Sequence, residues 1–294
     1  MKIIYVLLSD NSGEHYFYQA DNLKKWIVPS ISQCHRLNPE NEIIVITDNF
    51  SLKDELSFVK FFDINDYIDK DILWFKENYI HLSTNSFNFE RNAIIRYMIL
   101  RSFCVREKVY EFLHLEPDVI VFSDVNKDGD DLKKFNATFL HGKAAGCCFF
   151  NNATEVLTDF VQYIINSYTI PQIDPKAFDM VKEEIRYKYN IENGIGAGGV
   201  SDMHYWSLYW YLHQDSVLEQ MDKNFDGVFY QTTMMDQKKE GEWDTIAEDG
   251  IEIKKLEIKN DNCYGIFNNE EVRIKYLHCH GHSKQLISKY CNVK

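Results

Sequence analysis

Short β-branched runs separated by helical patterns govern the first part of this chain. Residues 2–8 are apolar almost throughout (Ile3, Ile4, Tyr5, Val6, Leu7, Leu8), residues 42–47 repeat the pattern through Ile43, Ile44, Val45 and Ile46, and residues 58–64 form a third run. Helical spacing through residues 23–34 separates the first two. A strand that is apolar on both faces must be covered on both, the condition of parallel strands joined by crossover helices. The expectation is therefore an α/β fold whose central sheet is mainly parallel, Rossmann-like and flanked by helices. Ligands of such sheets sit beyond the carboxyl ends of the strands. That places Ser9, Asp10, Asn11 and Asp48 on one rim.

The fourth run carries acids. Phe112-Leu-His-Leu115 stops at Glu116 and Asp118, then resumes as Val119-Ile-Val-Phe122. A buried unpaired carboxylate costs on the order of several kcal/mol, so two of them at a strand end call for a partner. Separated by one residue, they can face one hard cation, and Pro117 stiffens the turn between them. A turn that is merely acidic is the competing reading.

At 294 residues, 45% hydrophobic and 26% charged, the chain has material for one large or two fused α/β units. Its 32 basic and 45 acidic residues leave a net charge of −13, which argues against nucleic acid as a partner and against a basic membrane-docking surface. An anionic ligand must then be held by a metal or by a few placed cations. The seven cysteines show no paired metal-ligand spacing, and their odd number points to reduced thiols and a cytoplasmic location. The apolar run after Lys2 is too short for a signal-peptide core, and no run approaches the about 20 apolar residues of a transmembrane segment.

Farther along, a helix is expected over 86–104, with arginines 91, 96 and 101 five residues apart. Each is rotated about 140° from the last, so they cannot all reach one site. An amphipathic helix covers 156–168 and is expected to break over 170–175; a further helix is expected over 176–189. A glycine-rich stretch (Gly194, Gly196, Gly198, Gly199) leads to Ser201, which can cap a helix over 203–212. That helix is aromatic enough to require burial. Short strands follow over 227–231, 251–258 and 272–280, the last alternating through Val272, Ile274, Tyr276, His278 and His280.

Four segments, in this order, resemble GT-A-fold, nucleotide-sugar-dependent glycosyltransferases of the glycogenin-like and bacterial galactosyltransferase-like kind. They are the arginine-bearing stretch 89–101 with the Glu116-Pro117-Asp118 turn in the place of Asp-x-Asp; Gly146-Cys-Cys-Phe-Phe-Asn-Asn152; Gly198-Gly-Val-Ser-Asp-Met203; and Leu277-His-Cys-His-Gly-His-Ser-Lys284, similar to a C-terminal His-x-x-Gly-x-x-Lys element. The resemblance implies one GT-A domain over 1–294, with a nucleotide-donor half (1–123), an acceptor half (124–294) and short C-terminal strands. It implies a UDP-sugar donor and a glycan or glycolipid acceptor, with the anomeric configuration retained. Asp118 and His278 match metal ligands, and Glu116 reaches either the metal or a ribose hydroxyl. The mixed oxygen and nitrogen set suits Mn²⁺, with Mg²⁺ as the alternative. Lys284 matches the lysine at the diphosphate, and Arg96, with Arg91 second, the helical arginine near phosphate or sugar. Ser9, Asp10 and Asp48 fall on the donor side, and Asp202 and Asn151 at the reaction centre, Asp202 serving as base were the enzyme inverting.

The chain also departs from that pattern. Glu116 replaces an aspartate, no Pro-Trp follows Lys284, and His280 and His282 are additional, which leaves the ligand open between His278 and His280. Each piece has a plain structural alternative: Asp202 as a helix cap, Asn151 as a turn residue, Asp48 as a strand end. Two other functions compete: an inactive nucleotide-sugar-binding relative, and a metal-dependent hydrolase built on His278, His280 and His282.

Overall fold

Strands and helices alternate through the first half of the chain in the structure, a computed structural model that describes residues 1–9, 20–81, 86–139, 146–173, 201–219, 224–235 and 243–291. The order is β1 (Lys2–Leu7), α1 (Ala20–Leu37), β2 (Ile43–Thr47), β3 (Lys60–Asp63), α2 (Lys70–Asn78), α3 (Phe87–Glu107), β4 (Phe112–Leu115), β5 (Val119–Val121), α4 (Val125–Leu132), β6 (Ala137–Phe139), β7 (Cys147–Phe150), α5 (Ala153–Ile173), α6 (Asp202–Leu212) and β8 (Val217–Glu219). The rest is mostly strand: β9 (Asn224–Phe225), β10 (Val228–Thr233), β11 (Thr245–Glu248), β12 (Ile251–Lys254), β13 (Leu256–Lys259), β14 (Asn262–Phe267) and β15 (Glu270–His278), closed by α7 (Ile287–Tyr290).

The main sheet runs β3-β2-β1-β4-β7-β6-β8. Its ladders are parallel from β3 to β4 and between β6 and β8; only β7 runs antiparallel to its neighbours. The apolar runs have both faces covered. On β1, Ile3 and Tyr5 join one buried cluster and Ile4 and Val6 another, and β2, β4 and β7 divide in the same way. α3, α5 and α6 cover the second face, where Tyr97, Phe160 and Trp206 pack ring to ring. α1 and a second sheet, β13-β14-β15-β10-β9, cover the first. β5 leaves the main sheet and pairs antiparallel with β15, so the 116–118 turn is the link between the two sheets.

Several local expectations change. The third run is strand only over Lys60–Asp63. α5 continues to Ile173 past Pro171, because its packing on α3 and α6 outweighs the single hydrogen bond a proline removes. On α6, Tyr205, Trp206 and Tyr209 are buried but Tyr211 is 55% exposed, since a single helix cannot turn every face inward. The 251–258 run divides at Lys255, where the chain changes partner from β11 to β14. β15 ends at His278, so His280 lies beyond the strand. The expected helix over 176–189, the glycine-rich stretch, Asp10 and Asn11 lie outside the described residues. Among the described residues no helix is long and apolar enough to cross a membrane.

Candidate active site

The site begins where β4 ends. The Glu116 amide donates to the Gly146 carbonyl (2.8 Å) and the Val119 amide to the Glu116 carbonyl (3.1 Å). This closes a tight turn in which Pro117, having no amide hydrogen, leaves no donor unsatisfied. β5 then runs against the end of β15 with Val119 opposite His278, and the Cys279 amide donates to the Asp118 carbonyl (2.8 Å). The register delivers an imidazole to two carboxylates. His278 Nε2 lies 3.4 Å from Glu116 Oε2 and 3.5 Å from Asp118 Oδ1, and one ligand atom from each of the three residues lies within 4.8 Å of the others.

These residues fit a divalent cation. Neighbouring ligands of an octahedral ion with bonds near 2.1 Å stand ~3 Å apart, so small side-chain shifts would close the group. Asp118 Oδ1 is buried with no hydrogen-bond partner, an orphaned acceptor of the kind a cation satisfies. His280 lines the same cleft but stands outside the group, and His282 is exposed. Among the described residues the histidines form no metal-holding group of their own.

Two cations answer the acids. Lys284, on the 3₁₀ turn Gly281–Leu286, places Nζ 3.0 Å from Asp118 Oδ2 and lies over the Trp26 ring. Arg96 forks between Glu116 Oε1 and Asp202 Oδ2, the latter at 2.9 Å. Burial alone would raise the Asp118 carboxyl, but Lys284 and His278 beside it prevail and hold it well below the usual carboxylate range. Burial would likewise lower His278, yet the Asp118 and Glu116 charges lift it above an ordinary imidazole. Asp202 is raised, chiefly by burial, against the pull of Arg96. A divalent cation in place of the His278 proton would leave the three ligands and the ion together neutral, and with Lys284, Arg96 and Asp202 counted the site would be net positive and attractive to an anion.

The group forms one wall of a cleft of about 390 Å³. Val6–Ser9 at the end of β1, Thr47 at the end of β2 with Asn49 beyond it, the first turns of α3 and Ser201–Met203 form the others. Of the expected site residues, Glu116, Asp118, His278, Lys284, Arg96, Asp202 and Ser9 meet here. Asp48 accepts from the Ser9 amide (2.9 Å) and hydroxyl (2.6 Å) and faces an adjoining pocket with Arg91.

Asn151 is not brought to the cleft. β7 runs antiparallel to β4, with Cys147 opposite Leu115 and Phe150 opposite Phe112, so Asn151 sits at the other end of the sheet. There its side-chain Nδ2 donates to the Leu132 and Phe135 carbonyls. The other end of the same strand reaches the site. Gly146 lies against His278 and against Gln231 of β10, which is buried with both side-chain polar atoms unpartnered. Neither residue was expected from the sequence; a glutamine inside an otherwise apolar and threonine-rich strand was the one available sign.

No protein-family model matches the sequence, and no curated protein sequence matches it. Among solved structures, apo mouse xyloside xylosyltransferase 1 superimposes with a TM-score of 0.50 at 11% identity, over 79% of this chain and 87% of that one. The galactosyltransferase LgtC, in complex with donor and acceptor sugar analogs, gives a TM-score of 0.40 at 12% identity over 79% and 76%. The first comparison shows a shared fold, the GT-A type, and nothing of chemistry; the second is too distant to carry an argument.

Proposed function

We propose that this chain is a metal-dependent glycosyltransferase that moves a sugar from a nucleoside diphosphate donor, UDP-linked in the first instance, to a glycan or glycolipid acceptor in the cytoplasm. The observation that carries the proposal is the Glu116, Asp118 and His278 group, set in a cleft at the carboxyl ends of parallel strands on a GT-A fold. Bound there, Mn²⁺ (or Mg²⁺) would neutralise charge developing on a departing nucleoside diphosphate. Lys284 stands where it would add a second positive charge to the same diphosphate. Arg96 orients Glu116 and Asp202 together, and a fork held on both prongs is a rigid support for a sugar. Ser9 and Asp48, already bonded to each other, close the β1 end, where the nucleoside would lie.

Asp202 is the base an inverting reaction would need. Its Oδ2 is engaged by Arg96, which supports retention of the anomeric configuration. One observation favours a second reading. Lys284 and Arg96 already balance the charges of Asp118 and Glu116, leaving only Asp118 Oδ1 without a partner, so the acids stand together without a metal, as in a relative that binds nucleotide sugars but has lost turnover. A screen of nucleoside diphosphate sugars for nucleotide release, with Mn²⁺ and with EDTA, separates the two. Slow release from one donor, requiring both Mn²⁺ and Asp118, is expected, and Asp118→Ala should lose it by at least about 100-fold. Near-normal release by Asp118→Ala would overturn the metal assignment; nucleotide binding with no release from any donor would favour the second reading.

A further inference from the structure

The three arginines of α3 have different fates. Arg96 binds two carboxylates, and so does Arg101, paired with Asp69 and Asp71. Arg91 binds none. Its guanidinium donates to the Asn88 side chain (3.1 Å) and lies over the Phe87 ring, and its Nε is buried without a partner. Beside it stands Lys76 of α2, also without an ion pair among the described residues, its ammonium held below its ordinary pKa by partial burial and then by the charge of Arg91. In a chain of net charge −13, two adjacent cations with no carboxylate partner among the described residues run against the background. Like charges held together cost energy unless an anion joins them.

Both line a pocket of about 210 Å³ that shares Leu8, Ser9 and Asn92 with the main cleft. Asn65 and Asn92 add amide groups to its wall, and Ile64, Ile95 and Ile99 give it an apolar side that strengthens a charge contact. Among the described residues Asp48 is the one acid on the lining; it raises Lys76 and already accepts two hydrogen bonds from Ser9. We propose that this pocket is a subsite for a carboxylate or phosphate group carried by the substrate of the neighbouring cleft, held between Arg91 and Lys76. A guanidinium offers a planar bidentate face to either oxyanion, and an ammonium supplies the second charge. The proposal rests on the glycosyltransferase reading only for which molecule brings the anion, donor sugar or acceptor.

The test uses the full chain, Lys76→Gln and Arg91→Gln, with binding followed by calorimetry and NMR. Lys76 is exposed, so its replacement should not disturb folding. Matched probes differ in one anionic group: UDP-glucuronic acid against UDP-glucose with Mn²⁺, and glucuronate and glucose 6-phosphate against glucose, with and without UDP. An anion on the donor predicts that UDP-glucuronic acid binds about tenfold or more tighter than UDP-glucose. That preference should fall to near unity in Lys76→Gln while UDP itself binds as before. An anion on the acceptor predicts no difference between the two donors, but an acid-over-neutral preference among the free sugars that both variants erase. No acid preference with any probe, or one that survives both variants, would overturn the subsite. Should UDP fail to bind while acidic sugars bind in a variant-sensitive way, the glycosyltransferase reading falls and the anion subsite stands.

Discussion

At Gly146 the absence of a side chain decides where His278 sits. A Cβ there would lie 3.0 Å from Val119 Cγ2 and 3.2 Å from both Gln231 Nε2 and His278 Nδ1. All three neighbours are at most 2% exposed, so none can swing aside into solvent. Gly146→Ala should therefore push His278 off the carboxylates: Mn²⁺ affinity, read by electron paramagnetic resonance, should fall about tenfold. Overpacking should lower the unfolding free energy by about 1–3 kcal/mol in urea. Unchanged Mn²⁺ affinity would mean that the imidazole is positioned from elsewhere. The residues of this site differ in how far the sequence reveals them. Glu116 and Asp118 are legible because acids inside an apolar run are costly. His278 and Lys284 are legible only by resemblance. Gly146 and Gln231 are not, since their roles depend on contacts between strands of two sheets. Asn151 misled because an apolar run does not say which way its strand points, and antiparallel insertion carried it to the wrong rim.

Elements end where local chemistry stops them, and α2 shows how such an end is tied to its neighbour. Asp69 caps α2 by accepting from the Asp71 and Ile72 amides (3.0 Å each), and its other oxygen accepts from Ser102 and Arg101 of α3. Burial alone would raise this carboxyl, but the Ser102 hydroxyl, the Ile72 amide and Arg101 outweigh it and leave it below its ordinary value. A carboxylate whose folded pKa is depressed stabilises the fold fully above its unfolded pKa, near 4, and ceases to do so as pH falls through the folded value. Asp69→Ala should cost about 1–2 kcal/mol at pH 7, mostly as a lost cap. The difference from wild type should shrink below about pH 4, as measured by urea unfolding across pH. Asp69→Asn, which keeps the cap, should recover much of the loss; no recovery would assign the effect to the ion pair. Elements of this kind were legible where helical spacing marks them, as in the helix expected over 86–104 and found as α3. They were less so where packing overrides a local signal, as at Pro171, or where a strand changes partner, as at Lys255.

Among the described residues two large sheets stand beside the small β11-β12 pair, and their separation in sequence suggests two halves that unfold apart, as chains beyond about 150 residues often do. The packing argues otherwise. Alternate residues of β1, β2, β4 and β7 feed two buried clusters on opposite faces of one sheet. The first cluster continues without a break into β5, β10 and β15 of the second sheet, through Val121, Phe229, Ile274 and Tyr276. Neither cluster can lose the main sheet without exposing the other, and the second sheet cannot lift away without uncovering the first cluster. Trp26 on α1 lies in one cluster and Trp206 on α6 in the other, both at most 3% exposed, so each reports its own face. In variants retaining only Trp26 or only Trp206, the fluorescence transition in urea should coincide with far-ultraviolet circular dichroism, with one midpoint in each. Mn²⁺ at about 100 times its dissociation constant should raise unfolding free energy by about 2.7 kcal/mol, seen equally by both tryptophans, because the residues that could hold it stand at the joint between the sheets. Two separated midpoints, or a Mn²⁺ shift confined to Trp26, would mean that the sheet's two faces come apart independently and that the metal group steadies only the half in which it stands.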